Sequence, residues 1–342
     1  MTKLSYGQLY QKLTKSLSPK TKSIFDRRFG VKSGKPETLE SIGDSLNITR
    51  ERVRQIEEVG FNNIRKNGQE VLDKVHKEFV NYFTKNGGLK KEDLALEELG
   101  GKKNKSYVLF FLTIGEQFSR VCEKKDFHYY WSIIPDAKNK VKETLDALVD
   151  SIDEVKQLMP KKEVISSFAS KNGMSIEAVA SYLEISKNIQ SNKEGKIGLV
   201  NWPEIKPRGV KDKAFLAFKK HGKPLHFTEV ARAIDKLEYN QPNKKTYAQT
   251  VHNELIKDAR FVLVGRGTYA LSEWGYTPGT IKDVITNVLQ TKNQPMNKDE
   301  IVNAVLAQRM VAKNTVLMNL NFKNNFDKDD KGNYFVRKTE SV

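Results

Sequence analysis

The chain has 342 residues, a single cysteine, and 59 Lys and Arg against 42 Asp and Glu, a net charge of +17. One cysteine, Cys122, excludes a disulfide framework and any zinc site built from cysteine pairs, and no apolar run approaches the roughly 18 residues of a membrane span. Charge of this size attracts polyanions, nucleic acid first, and the lack of a signal-like apolar core in Met1–Leu17 predicts a cytoplasmic protein without a membrane partner.

The first sharp pattern lies between Pro36 and Arg65. In Glu37–Leu46 the residues Leu39, Ile42 and Leu46 make one apolar stripe with the small Gly43 beside it. Leu46-Asn47-Ile48 then breaks the period, and Thr49 can cap a second helix reaching about Lys66. On that helix Val53, Ile56, Gly60 and Ile64 face inward, while Glu51, Arg54, Gln55, Glu58, Asn62 and Arg65 face away, with Arg50 at the exposed N-terminal end. Two helices joined by so short a turn, the second carrying Arg and Gln early, suit insertion into a major groove, where Arg can pair with guanine and Gln with adenine. A charged solvent face on an ordinary helix is the alternative.

Further along, Trp131, Trp202 and Trp274 stand 71 and 72 residues apart. Each ends a strand–turn–strand pattern, Phe118–Trp131, Ile189–Trp202 and Phe261–Trp274, and a Trp-less copy follows at Phe326–Val336. Helical periods precede the later hairpins: 138–159, 161–170 and 175–185; 212–220, 228–237 and 246–257; 281–289, 298–307 and 313–322. In the 246–257 helix, Tyr247, Val251 and Leu255 share the inner face, and Thr228 is placed to cap the helix before it. Three helices and a hairpin is the winged-helix plan, and the spacing predicts that the three tryptophans occupy equivalent places at the end of the second wing strand. The fold class is therefore mainly α with small β-hairpins, built as tandem helix-turn-helix and winged-helix modules at 1–68, 69–136, 137–208, 209–278 and 279–342.

Charge is unevenly spread over these modules. Residues 1–70 and 208–279 each carry +6, against +1 for 71–137, +1 for 138–207 and +3 for 280–342. The two basic blocks are the expected polyanion contacts. In the second block Lys244, Lys245, Gln249 and Asn253 lie off the apolar stripe and Arg266 sits at the wing tip, which makes them the expected DNA contacts of that module. Patterns that suggest catalysis are weaker. Glu154-Val155-Lys156 after Pro135-Asp136 mimics the spelling of a metal-dependent nuclease, but it falls within a helical period rather than on a strand. The five histidines show no metal-ligand spacing, and Gly265-Arg266-Gly267 reads as a wing tip rather than a phosphate-binding loop. No enzyme, metal or cofactor is expected.

Two stretches resemble known families. Leu17-Ser18-Pro19, Asp26-Arg27-Arg28-Phe29-Gly30, Thr38-Leu39-Glu40-Ser41-Ile42-Gly43 and Thr49-Arg50-Glu51-Arg52-Val53-Arg54-Gln55-Ile56-Glu57 closely resemble region 4 of primary bacterial sigma factors. That resemblance implies base reading of a minus-35 promoter element by Arg50, Glu51 and Gln55, phosphate contacts at Arg52 and Arg54, and a seat on the flap of the RNA polymerase β subunit. Nothing resembles the sigma regions that melt DNA or read the minus-10 element. Gly222–Ala231, Val251–Leu255 and the Gly265–Trp274 hairpin look like the HARE-type winged helix-turn-helix, a family that includes the N-terminal domain of the RNA polymerase δ subunit. Together they imply a sequence-specific transcription factor that binds double-stranded promoter DNA and the polymerase core. An architectural DNA-binding protein with little base specificity, or a winged-helix scaffold for proteins, are the alternatives.

Overall fold

In the computed structural model, which describes residues 5–237, 239, 245–322 and 325–337, the chain forms two units, 1–201 and 202–342. The first unit runs α1 (Tyr6–Thr14), α2 (Pro19–Arg28), α3 (Leu39–Leu46), α4 (Arg50–Lys85), β1 (Leu89–Lys91), α5 (Glu92–Ile114), β2 (Ser119–Val121), β3 (Tyr130–Ser132), α6 (Ala137–Val155), β4 (Met159–Pro160), α7 (Lys161–Asn172), α8 (Ile176–Ile185), β5 (Ile189–Ser191) and β6 (Lys196–Leu199). The second runs α9 (Gly209–His221), β7 (Leu225–His226), α10 (Phe227–Lys236), α11 (Ala248–Lys257), β8 (Phe261–Gly265), β9 (Thr268–Leu271), α12 (Ile281–Lys292), α13 (Lys298–Gln308), α14 (Lys313–Leu320), β10 (Phe326–Lys328) and β11 (Tyr334–Val336). No helix among the described residues is long and apolar enough to cross a membrane.

Each expected hairpin forms. Three of them gain a further strand, giving antiparallel sheets of one topology, β1-β3-β2, β4-β6-β5 and β7-β9-β8. The added strands are two or three residues long, too short to show an alternating period. In the last hairpin a lone bridge from Met296 to Tyr334 takes the corresponding place.

The tryptophans are not equivalent, contrary to their spacing. Trp131 lies within β3, opposite Arg120, and is 2% exposed. Trp202 and Trp274 instead follow their strands, in a turn after β6 and in a short 3-10 turn after β9, and both are half-buried. The turns explain the difference. Residues 122–129 separate β2 from β3, whereas only 192–195 separate β5 from β6 and 266–267 separate β8 from β9. A constant sequence interval across turns of different length cannot keep one strand register.

Helix α4 is the largest departure from periodicity. It continues past Lys66 to Lys85, because Leu72, Val75, Phe79 and Phe83 extend the buried stripe. The module boundary expected after residue 68 falls inside it, at Gly68, where the backbone leaves helical geometry (φ −122°, ψ 15°) and the Leu13 side chain fills the space a Cβ would need. Phe110 of α5 sits among Tyr10, Phe25, Phe29 and Phe61, at centroid distances of 4.9, 6.0, 5.4 and 6.2 Å. The α1–α4 helices and the first wing therefore share one core.

His76 on α4 is buried in that core, with Nε2 3.0 Å from the Phe111 carbonyl oxygen and the ring edge-on to Phe118. Burial pushes its pKa below the usual value, with Arg65 adding to the effect, against the opposing pull of the Phe111 bond and Asp73. The neutral Nε2–H form donates to Phe111. Because the unfolded chain binds this proton more readily, the contribution of His76 to stability is complete above about pH 6.5 and declines as pH falls toward the lower folded pKa. Denaturant midpoints measured across that window should fall with pH, and His76→Gln should flatten the slope. An unchanged slope in His76→Gln would assign the effect to other groups.

Candidate nucleic-acid interface

The helix-turn-helix is assembled from caps and one tight approach. The Thr38 hydroxyl accepts from Ser41 N (3.1 Å) to start α3, Asn47 ends it in the left-handed region (φ 51°), and the Thr49 hydroxyl accepts from Arg52 N (3.2 Å) to start α4. A Cβ at Gly43 would lie 2.6 Å from the Ile48 carbonyl oxygen, so only glycine lets the turn close over α3. Ile24, Ile42 and Val53 form the small core beneath.

Behind this core two arginines of α2 hold the pair of helices in register. Arg27 grips Glu37 through Nε (3.0 Å) and Nη2 (2.6 Å), and Arg28 donates to the Glu37 carbonyl (3.0 Å) while its Nε lies 3.5 Å from the Glu57 carboxylate. Glu57 is buried, and burial raises its pKa even though Arg28 draws it down. The sequence motif contains Glu57 without revealing this structural role, which depends on the long-range partner Arg28.

The outer face of α4 is open. Arg50, Glu51, Arg54, Gln55, Glu58 and Asn62 are exposed, and at about 100° per residue they span an arc of roughly 140°, with Arg52 at its flank. The side chains on this face are not loose. Arg54 donates to Glu51 (2.8 and 3.0 Å) and to Glu58 (3.0 Å), and Arg52 donates to the Gln55 side-chain oxygen (3.1 Å). Arg54 accordingly lowers the pKa of Glu51, while Glu51 raises that of Arg54.

In the second unit, Lys244 lies outside the described residues. Lys245, Gln249, Asn253 and Arg266 are all exposed. Gln249 Nε2 donates to Asn253 Oδ1 (3.4 Å) along one face of α11, and Arg266 occupies the turn between β8 and β9, where Gly267 takes φ +66°. Tyr247 departs from its expected place on the inner face: it is the N-cap residue of α11 and 77% exposed, while Val251 and Leu255 fill the core. Helix α10 likewise begins one residue before Thr228, capped by His226. An aromatic row that sequence reading missed links helix and wing: His226, Phe227, His252 and Tyr269 follow one another at 4.4, 4.6 and 5.9 Å.

The third helices of the first two winged modules are packed away. The C-terminal half of α5 buries Val108, Phe110, Phe111, Leu112 and Ile114. Helix α8 ends against the first wing, where its Ile185 carbonyl accepts from His128 N (2.9 Å) and Glu184 pairs with the buried Lys90 (2.9 Å). Neither helix offers an open face like that of α4 or α11.

Comparison with known proteins agrees with this division. Residues 15–66 match the family described as Sigma-70, region 4, and residues 208–274 match the HARE-HTH family, the ASXL and restriction endonuclease HTH domain. RNA polymerase sigma factor SigA of Nostoc sp. is 42% identical over 55 residues, 16% of this chain and 14% of that protein. SigA of Clostridium acetobutylicum is 39% identical over 54 residues, with the same shares. RNA polymerase sigma factor sigB of Arabidopsis thaliana is 39% identical over 54 residues, 9% of its length. The chain thus spans only about a seventh of the SigA proteins it matches. Residues 15–66 are a sigma-region-4-like helix-turn-helix, and residues 208–274 are a HARE-type winged helix.

Proposed function

We propose that the chain is a sequence-specific DNA-binding transcription factor that reads a minus-35-like promoter element with α4 and contacts the RNA polymerase core, through the β-subunit flap. One observation carries this reading: the N-terminal turns of α4 present Arg50, Glu51, Arg54 and Gln55 on an open face, braced from behind by the Arg27–Glu37 and Arg28–Glu57 contacts, in the stretch most like sigma factors. Arg50, Glu51 and Gln55 read bases, and Arg52 and Arg54 lie against phosphates. The HARE-type module adds a second basic contact through Lys244, Lys245, Gln249, Asn253 and Arg266.

Gln55 gives the decisive test. Its side chain makes no core contact and Gln55→Ala should leave folding intact, yet it should cost about 1–3 kcal/mol on the preferred duplex. The loss should fall at one base-pair position, with random DNA bound almost as before. Arg54→Ala removes a cation and frees Glu51 and Glu58, so it should weaken binding to every sequence. Equal losses on promoter and random duplexes for Gln55→Ala would replace this reading with the architectural one.

A further inference from the structure

The first winged module has a net charge of only +1 over 71–137, yet four of the lysines in and just after it are gathered at one place. Residues 122–129 form its wing turn, and that turn is held rigidly. Lys124 N donates to the Phe127 carbonyl (3.0 Å), Lys187 N to the Asp126 carbonyl (2.9 Å) and Lys187 Nζ to the Lys124 carbonyl (2.7 Å). Helix α6 packs against the adjacent strand β2 and carries Lys138 and Lys142 one turn apart on one face. Lys124, Lys125, Lys138 and Lys142 are all exposed.

Lys124 stands within hydrogen-bonding reach of Lys138, with Lys142 close by. Lys138 is the largest cause of a Lys124 pKa below the ordinary lysine range, with a smaller opposing pull from Asp126. Ammonium groups only donate, so neither lysine can satisfy the other. At about 4 Å two such charges repel by about 1 kcal/mol even in bulk water. The nearby carboxylates are engaged elsewhere: Glu123 pairs with Lys187 (2.5 Å) and His128 (3.5 Å), Asp126 accepts from Asn188 (3.4 Å), and Asp136 accepts from Asn139 (3.0 and 3.1 Å). Lys138 and Lys142 also sit in the first two turns of α6, where the helix dipole disfavours cations. A braced turn that crowds ammonium groups together is relieved by an anion whose oxygens accept from two of them at once.

We infer that Lys124, Lys125, Lys138 and Lys142 form a phosphate-contact site for the backbone of duplex DNA, on a module whose third helix is closed to base reading. The inference rests on the proposed DNA-binding role and extends it: this wing adds affinity without sequence preference, while α4 supplies the preference.

The test uses the full chain and a promoter duplex, with affinity measured as a function of salt. Lys124→Ala/Lys138→Ala/Lys142→Ala should weaken binding to promoter and random duplexes by the same factor. It should also reduce the magnitude of the log-affinity against log-salt slope by about 0.9 for each phosphate no longer neutralised. The control Lys161→Ala/Lys162→Ala/Lys171→Ala removes the same charge from exposed positions of α7 and should keep the wild-type slope. A wild-type slope in the first variant, or equal changes in both, overturns the site while leaving the DNA-binding reading in place. Wild-type protein with no salt-dependent DNA binding overturns both.

Discussion

Phe110→Ala should destabilise the N-terminal unit by about 3–5 kcal/mol, the cost of emptying a large, well-packed aromatic site. Phe110 is fully buried, and its ring touches the sigma-like helices through Tyr10, Phe25, Phe29 and Phe61. The substitution therefore removes the side chain that joins α5 to α1, α2 and α4. If the two share one core, hydrogen exchange in the full chain should show reduced protection in α2 and α4 together with α5. Reduced protection in α5 alone, or a stability change below about 1 kcal/mol, would show that the sigma-like helices have a core of their own.

Trp131→Ala should have an effect of similar size, about 3–5 kcal/mol, whereas Trp274→Ala should cost clearly less. Trp131 is buried within β3, and its Nε1 donates to Glu92 Oε2 at 2.9 Å. The same carboxylate takes two bonds from Arg120, at 2.5 and 2.6 Å, so the indole completes a polar clasp between α5 and the hairpin. Trp274 sits half-buried beyond β9, edge-on to Phe218 at 6.2 Å, and has less volume to lose. Trp131→Phe separates packing from hydrogen bonding, since it keeps most of the packing and loses the bond to Glu92, for about 1–2 kcal/mol. Denaturant titration of each variant in the full chain checks the order. Equal costs for Trp131→Ala and Trp274→Ala would restore the equivalence that the 71- and 72-residue intervals suggest.

Residues close in sequence determined much of this protein without help from the fold. The caps at Thr38 and Thr49, the stripe of Val53, Gly60 and Ile64, and the Gly267 turn follow from contacts a few residues long, and so do the positions of most helices. The open arc on α4 was legible for the same reason: its residues are those left off the apolar stripe. Tertiary structure alone decided which helical faces stay open. Periodicity marks a face as apolar but cannot say what covers it, so the burial of α5 under the sigma-like helices and of α8 against the first wing was invisible in the chain. Tyr247 shows the converse, an aromatic in phase with Val251 and Leu255 that falls at the cap and turns outward. The roles of Glu57, through Arg28, and of the lysines around Lys124 also depend on side chains brought together across the fold, because a charge acquires its partner from space rather than from spacing.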